Sequence, residues 1–180
     1  MSDNTYKINI AGLERELPLC PVNDKLDIGA FVMFSDVEIT VRSAEELLKK
    51  TGDFDIIITA ESKGIPLAYE MARQSGKNYV VARKSVKLYM KNCVSVNVKS
   101  ITTDAVQTLY LGEDKAEMLR GKKVLIADDV ISTGESLKAI EELVNAAGGI
   151  ICGKCAVLAE GDAADRDDII FIQKLPLFFK

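Results

Sequence analysis

The sequence predicts an α/β fold in which a twisted, mostly parallel sheet is flanked by helices on both faces. Three observations carry that prediction. Apolar runs at about 55–60, 78–83, 124–128, 150–158 and 168–173 read as strands, while 64–75 and 135–147 repeat their apolar residues at helical spacing. Strand and helix therefore alternate, the pattern of parallel strands joined by crossover helices. The run Val124–Ala127 is apolar enough to be buried on both faces, and Leu137, Ile140, Leu143, Val144 and Ala147 follow it along one helical face. Finally, 180 residues of which 48% are hydrophobic suffice for one full core and not for two. A single domain over 1–180 is expected.

At the start of the chain, Tyr6-Lys-Ile-Asn-Ile-Ala-Gly12 and Arg15-Glu-Leu-Pro-Leu19 alternate about a Gly-containing turn, which predicts a hairpin. Ser43–Lys50 reads as a helix with Ser43 as N-cap, Glu46 three residues on and Gly52 as its stop. Residues 84–112 break the alternation: Cys93–Val98 and Val106–Leu111 form an antiparallel arm, with Lys99–Thr103 as its connection and Gly112 as its exit. Gly148 and Gly149 stop the last long helix, and Gly161–Asp168 is expected to be an exposed loop. There are no internal repeats or low-complexity tracts.

Several classes of function are disfavoured by what the chain lacks. It contains no histidine, so Ser-His-Asp and Cys-His nucleophiles and histidine-bearing zinc sites are excluded. Residues 1–10 lack the charged and apolar regions of an export signal, and no segment has the ~20 apolar residues of a membrane span. Cys20, Cys93, Cys152 and Cys155 are too scattered for a disulfide framework, which points to a reducing cytoplasm. Cys152 and Cys155 have redox spacing, but three residues apart on a strand they face opposite ways and are expected to be core cysteines. Neither Gly-x-Gly-x-x-Gly nor Gly-x-x-x-x-Gly-Lys-Ser/Thr occurs, which disfavours a dinucleotide-binding fold.

Charge is segregated. The net charge is −4, yet residues 71–103 contain no acid and seven bases (Arg73, Lys77, Arg83, Lys84, Lys87, Lys91 and Lys99), leaving 16 bases against 27 acids elsewhere. Such a distribution focuses positive potential where a polyanion would arrive, while an acidic whole does not favour general nucleic-acid binding.

The richest chemistry lies at 124–136, where the apolar strand ends in Asp128 and Asp129 and opens into Val130–Glu135, a strand-to-helix turn. Ser132, Thr133, Gly134 and Ser136 can aim hydroxyls and backbone N–H groups at an anion on the helix N-terminus, where the macrodipole favours negative charge. A phosphate fits there. Asp128 and Asp129, as ionised acceptors, suit a pair of hydroxyls such as a ribose diol, or a hydrated cation. A phosphorylated ribose meets both demands.

This segment resembles the defining stretch of the type I phosphoribosyltransferases, which use 5-phosphoribosyl 1-pyrophosphate (PRPP): an apolar strand, Asp-Asp, two apolar residues, Ser/Thr-Thr-Gly and a closing Ser/Thr. Asp128, Asp129, Val130, Ile131, Ser132, Thr133, Gly134 and Ser136 fill every position, with Glu135 where adenine-type members often carry Gly. Two further pieces follow the family's order. Glu61-Ser62-Lys63-Gly64, after the strand at 55–60, is similar to the pyrophosphate loop of adenine-type members, with Lys63 in place of Arg. Arg83-Lys84-Ser85-Val86-Lys87 is similar to the Arg-Lys-x-x-Lys that grips pyrophosphate, and Lys174–Phe178 is similar to the ending of many adenine-type chains.

The resemblance implies the type I fold with a small hood at about 1–42, a core at about 43–180 and a flexible arm at about 84–112 that closes over the site. It implies a purine phosphoribosyltransferase of purine salvage, adenine favoured, with Mg²⁺ held mainly through PRPP and water rather than by direct protein ligands, and a homodimer. Under it, Val130–Ser136 cradle the 5'-phosphate, Asp128 and Asp129 hold the ribose, and Lys63, Arg83, Lys84 and Lys87 take pyrophosphate. Val130 or Ile131 packs on the base, although Ile131 fits an ordinary core role equally well. Adenine-type arms carry a catalytic Glu, where this chain offers Gln107, with Asp104 and Glu113 nearby; Asp104 is the substitute of choice, because an amide cannot usefully take a proton. The lysine that 6-oxopurine enzymes present to the base is missing from Ala156–Gly161, and Glu160 there either lies near the base or starts a loop. The alternatives are a non-catalytic PRPP-binding regulator of purine metabolism and a xanthine or 6-oxopurine phosphoribosyltransferase.

Overall fold

The computed structural model describes residues 4–99 and 106–180. The expected hairpin is present as β1 (Thr5–Ile10) and β2 (Leu13–Asn23), turned at Ala11 and Gly12, both in the left-handed region with φ of 53° and 84°. Lacking a Cβ, Gly12 takes that conformation without steric cost. Antiparallel β3 (Leu26–Gly29) pairs with β2, and the loop after it carries Phe31 and Met33 into the core.

Helix α1 (Val37–Lys50) begins a full turn and a half before Ser43. This corrects the sequence expectation. Asp36 is the N-cap: its Oδ1 accepts from the backbone N–H of Ile39 at 3.1 Å, and Arg15 of the hairpin holds the same carboxylate at 2.7 Å. Ser43 lies inside the helix, fully buried, with no hydrogen-bond partner for its hydroxyl among the described residues. Its Ser-x-x-Glu spacing therefore arises without capping, because the buried face of α1 runs through Ile39, Ser43, Ala44 and Leu47.

Next come β4 (Ile56–Ala60), α2 (Ile65–Ser75) and β5 (Asn78–Ala82), then the arm of β6 (Val94–Lys99) and β7 (Val106–Leu111), paired antiparallel as expected. The arm is joined to the end of β5 through an Arg83–Tyr110 bridge, and Leu109 and Leu111 are buried in the core beside the following helices. A short helix α3 (Glu113–Leu119) follows Gly112 and was not foreseen; at seven residues it is too brief to establish helical periodicity. Strand β8 (Lys123–Ile131) runs three residues past the predicted 124–128, so the turn into α4 (Glu135–Ala146) narrows to Ser132–Gly134. Strand β9 (Ile150–Glu160) leads into a 3-10 turn at Gly161–Asp165 that buries Ala163, where an exposed loop was expected. Strand β10 (Ile170–Leu175) starts two residues late, and β11 (Phe178–Phe179) pairs with β3.

The five central strands are all parallel, in the order β10-β9-β8-β4-β5. Two apolar clusters cover the sheet. One combines α1, α2 and the hairpin with Ile57, Leu125, Ala127 and Val157; the other combines α3, α4 and the arm with Ile58, Ile126 and Ala156. Alternate strand residues feed alternate clusters, as the pleat requires. The second sheet, β1-β2-β3-β11, draws on both ends of the chain and stands above the carboxyl ends of the parallel strands as a hood. Of the two cysteines expected in the core, Cys155 is buried but Cys152 is exposed; Cys20 is exposed as well, and all four are free thiols. Burial pushes the Cys155 thiol up, so it is inert.

Candidate active site

Open α/β sheets bind ligands beyond the carboxyl ends of their strands. A cavity of about 400 Å³ lies there, between the ends of β4, β8 and β9 below and the hood loop Ile28–Val32 above. It is lined by Glu61, Ser62, Lys63, Lys84, Asp128, Asp129, Val130, Ile131, Ser132, Thr133, Gly134, Ser136 and Glu160, with Leu109 and Leu175 closing its apolar side.

The two acids sit in unequal surroundings. Asp128 accepts from the backbone N–H of Asp129 at 2.9 Å, and burial, reinforced by the charge of Asp129, holds its carboxyl well above the usual carboxylate range. Asp129 is 4% exposed, and its buried Oδ2 has no hydrogen-bond partner among the described residues. The nearest cation, Lys63, stands 3.6 Å from that oxygen, an ion-pair distance too long for a hydrogen bond. An under-satisfied buried carboxylate is costly by itself and is relieved by a ligand that brings donors or positive charge.

Gly64 explains how the loop after β4 comes so close to these acids. A Cβ there would collide with Thr59 Oγ1 and stand 2.8 Å from Asp128 Oδ1, so only glycine lets the Glu61–Gly64 loop lie against β8. Glu61 is occupied on its far side. Its Oε2 accepts from the backbone N–H of Lys84 at 3.0 Å, its Oε1 lies 3.3 Å from Arg83, and these contacts hold its carboxyl below the usual range. The acid in this loop therefore organises the basic segment after β5.

At the other wall, Gly134 caps α4 with φ +81°, a left-handed conformation that suits glycine, and the carbonyl of Gly134 accepts the first helical bond from Lys138 at 2.9 Å. The N-terminal turn of α4 and the hydroxyls of Ser132, Thr133 and Ser136 border the cavity.

Most of the sequence-selected residues thus meet in one place, but not all. Arg83 and Lys87 do not line the cavity: Arg83 is turned to Glu61, and Lys87 Nζ lies 2.7 Å from Ser85 Oγ. Glu135 is the first residue of α4 and is not among the lining residues. Val130 is partly exposed to the cavity, whereas Ile131 is 3% exposed and belongs mainly to the core. Asp104 lies outside the described residues, Gln107 falls within β7, and Glu113 opens α3, where it accepts from Asn92 at 2.8 Å. The sequence reading missed the hood loop. Its only signal is the apolar run from Ile28 to Phe34 with no clear helical or strand period, a surplus of apolar residues where a surface loop would be polar.

Fold and site together define a protein that handles a phosphorylated sugar. Residues 37–176 match the phosphoribosyl transferase domain, and the chain belongs to that family. Its curated relatives include adenine phosphoribosyltransferases from Kosmotoga olearia, 35% identical over 127 residues (71% of this chain, 68% of the relative), and Petrotoga mobilis, 32% over 146 (77% and 79%). The purine biosynthesis transcriptional repressor PurR of Bacillus subtilis is 32% identical over 114 residues, which is 63% of this chain and 39% of the repressor. Among solved structures, the adenine phosphoribosyltransferase of Thermoanaerobacter pseudethanolicus superposes with a TM-score of 0.74 at 24% identity, covering 88% of this chain and 95% of that one. The Saccharomyces cerevisiae enzyme gives 0.64 at 19%, with 93% of each chain covered. The fold is the type I phosphoribosyltransferase fold.

Proposed function

We propose that this chain transfers the 5-phosphoribosyl group of PRPP to a ring nitrogen of a purine, adenine foremost, releasing pyrophosphate and giving the nucleoside 5'-monophosphate. The observation that carries the reading is the meeting, in one cavity, of two carboxylates, a helix N-terminus fringed with hydroxyls, and Lys63 and Lys84. Each matches one part of the donor. The 5'-phosphate rests on Ser132–Ser136, the ribose hydroxyls donate to Asp128 and Asp129, and pyrophosphate lies toward Lys63 and Lys84, with Arg83 and Lys87 drawn in as the anion competes for them. The base enters between the hood loop and Val130.

In the reaction, the C1'–O bond lengthens and breaks, its electron pair leaves with pyrophosphate, and the purine nitrogen bonds to C1' from the opposite side. Positive charge on the sugar ring is stabilised by the carboxylates below it, and negative charge on the leaving group by the lysines. The Oδ2 of Asp129, which has no hydrogen-bond partner among the described residues, is a hard oxygen donor that fits Mg²⁺ alongside the substrate's own oxygens. Bound there, Mg²⁺ would supply charge neutralisation for pyrophosphate. Asp104 of the arm is the proposed acceptor of the proton that the purine nitrogen loses. Four free thiols support a cytoplasmic setting, and the exposed apolar Val86, Leu88 and Tyr89 after β5 support a homodimer. Among the described residues no helix is long and apolar enough to cross a membrane.

Incubation with Mg²⁺, PRPP and each purine in turn tests the proposal: pyrophosphate release with adenine is expected, and none with any base would sink it. The PurR relative favours one rival, a PRPP sensor. Tight PRPP binding with no turnover would select that rival.

A further inference from the structure

Glu160 is the one ionisable side chain lining the cavity to which none of the steps above assigns a task. It ends β9, half-buried, and its carboxyl makes no hydrogen bond or ion pair with the described residues. Sheet register fixes which part of the cavity it serves. Its partner on β10 is Leu175, and a Cβ on Gly29 of the hood would stand 3.2 Å from Leu175 Cδ1. On its other side, Ala159 pairs with Ile131, one residue beyond Val130. Glu160 therefore lies between the two elements proposed to sandwich the base, with the hood reached through Leu175 on one side and the end of β8 on the other.

We infer that Glu160 is a specificity-determining residue for the base: its carboxyl holds a purine edge on which a hydrogen-bond donor adjoins an acceptor, as the amino group of adenine adjoins a ring nitrogen. A protonated carboxyl supplies one O–H donor and one carbonyl acceptor in a plane, which matches that edge at two points. An ionised carboxylate only accepts, and would instead suit guanine, whose N1–H and amino group are adjacent donors.

The surroundings shift Glu160 toward the protonated form. Burial pushes the Glu160 carboxyl up, and the charge of Lys63, which pulls it down, does not cancel this. The other charged groups lining the cavity are Glu61, Lys84, Asp128 and Asp129. Asp162 and Asp165 follow Glu160 in the 3-10 turn, with Asp165 paired to Lys174, while the hood loop and Leu175 are uncharged. PRPP would occupy Lys63 and so weaken the one attraction that keeps Glu160 ionised.

This inference rests on the proposed transferase reading, and its test separates the two. KM for adenine and for unsubstituted purine, which lacks the amino group, is measured from pH 6 to 9 for the wild type, Glu160→Gln and Glu160→Ala, with PRPP affinity followed by calorimetry on the same samples. An amide offers the donor and acceptor of a protonated acid. Glu160→Gln should therefore stay within about threefold of the wild-type KM at pH 6.5 and lose the rise in KM at high pH, as expected of a neutral hydrogen-bonding surrogate. Glu160→Ala should raise KM for adenine about 10- to 100-fold while leaving that for unsubstituted purine and the PRPP affinity nearly unchanged. Wild-type adenine KM in Glu160→Ala overturns the inference, as does a wild-type preference for guanine that Glu160→Gln abolishes. If PRPP binds but no base turns over, the transferase reading fails, and adenine affinity in the presence of ribose 5-phosphate still decides the role of Glu160.

Discussion

The role proposed for Asp128 imposes a cost on the fold. Because its folded-state pKa is raised, the native chain holds the proton more tightly than the unfolded chain does, so stability declines as pH rises from near the ordinary carboxylate value through the folded pKa. Asp128→Asn removes that penalty. The ligand-free variant should melt several degrees above the wild type at pH 8, at about 2–4 °C per kcal/mol for a chain of this size, and the gap should close toward pH 4. PRPP affinity should fall at least about 100-fold, since the hydroxyls and cation of the bound donor would favour the ionised form of Asp128, and an amide cannot supply that charged pair of acceptors. A variant that gained no stability at pH 8, or kept its affinity, would contradict the assignment. Gly64 gives a second test at this scale. Gly64→Ala places a methyl against Thr59 and Asp128, and the loop must retreat; KM for PRPP should rise about tenfold or more, in a protein destabilised by about 1–3 kcal/mol. Unaltered kinetics would show that the loop approach is not needed.

Among the elements, α1 tests which residue starts a helix. Asp36 accepts from Ile39 and is gripped by Arg15, which also reaches Glu38 at 2.9 Å, so the cap doubles as the tie between the hood hairpin and the core. Asp36→Ala should cost about 1–2 kcal/mol in chemical denaturation. Ser43→Ala should cost nothing or stabilise slightly, because it removes a buried hydroxyl that has no hydrogen-bond partner among the described residues. The reverse order would restore the Ser43 assignment. The contrast also explains what was legible. The strands around Val124 and Ile56, the arm and the Asp128–Ser136 turn were readable because their signals are local: apolar runs, Gly stops and a run of small hydroxyls. Asp36 as cap depends on Arg15, 21 residues away, and β11 pairs with β3 across almost the whole chain. Such partners leave no periodic trace. The hood loop was missed for the same reason, since Ala30–Val32 line the cavity just beyond the short β3 and outside any strand or helix. Cys155 is a core cysteine as read, but β9 projects past the core at its start, which leaves Cys152 exposed.

For the whole molecule, the organising fact is that an acidic chain keeps an acid-free stretch where its polyanionic donor would arrive. Lys84 borders the cavity, and Lys77 and Lys91 are exposed nearby in sequence without contributing to its lining. Charges at such distances do not bind PRPP in place; they raise its local concentration and its rate of encounter, an effect that salt screens over about 8–10 Å. Adenine is neutral and gains nothing from this field. Raising ionic strength from 50 to 500 mM should therefore lower kcat/KM for PRPP by about tenfold while leaving kcat/KM for adenine, measured at saturating PRPP, within about twofold. The double variant Lys77→Gln with Lys91→Gln should reproduce part of that loss at low salt and none of it at high salt, with kcat unchanged. Equal salt dependence for the two substrates would mean that the segregated charge serves solubility or subunit contact instead. A fall in kcat in the double variant would mean that these lysines act at the site itself, and the boundary drawn here between steering and binding would have to move outward to include them.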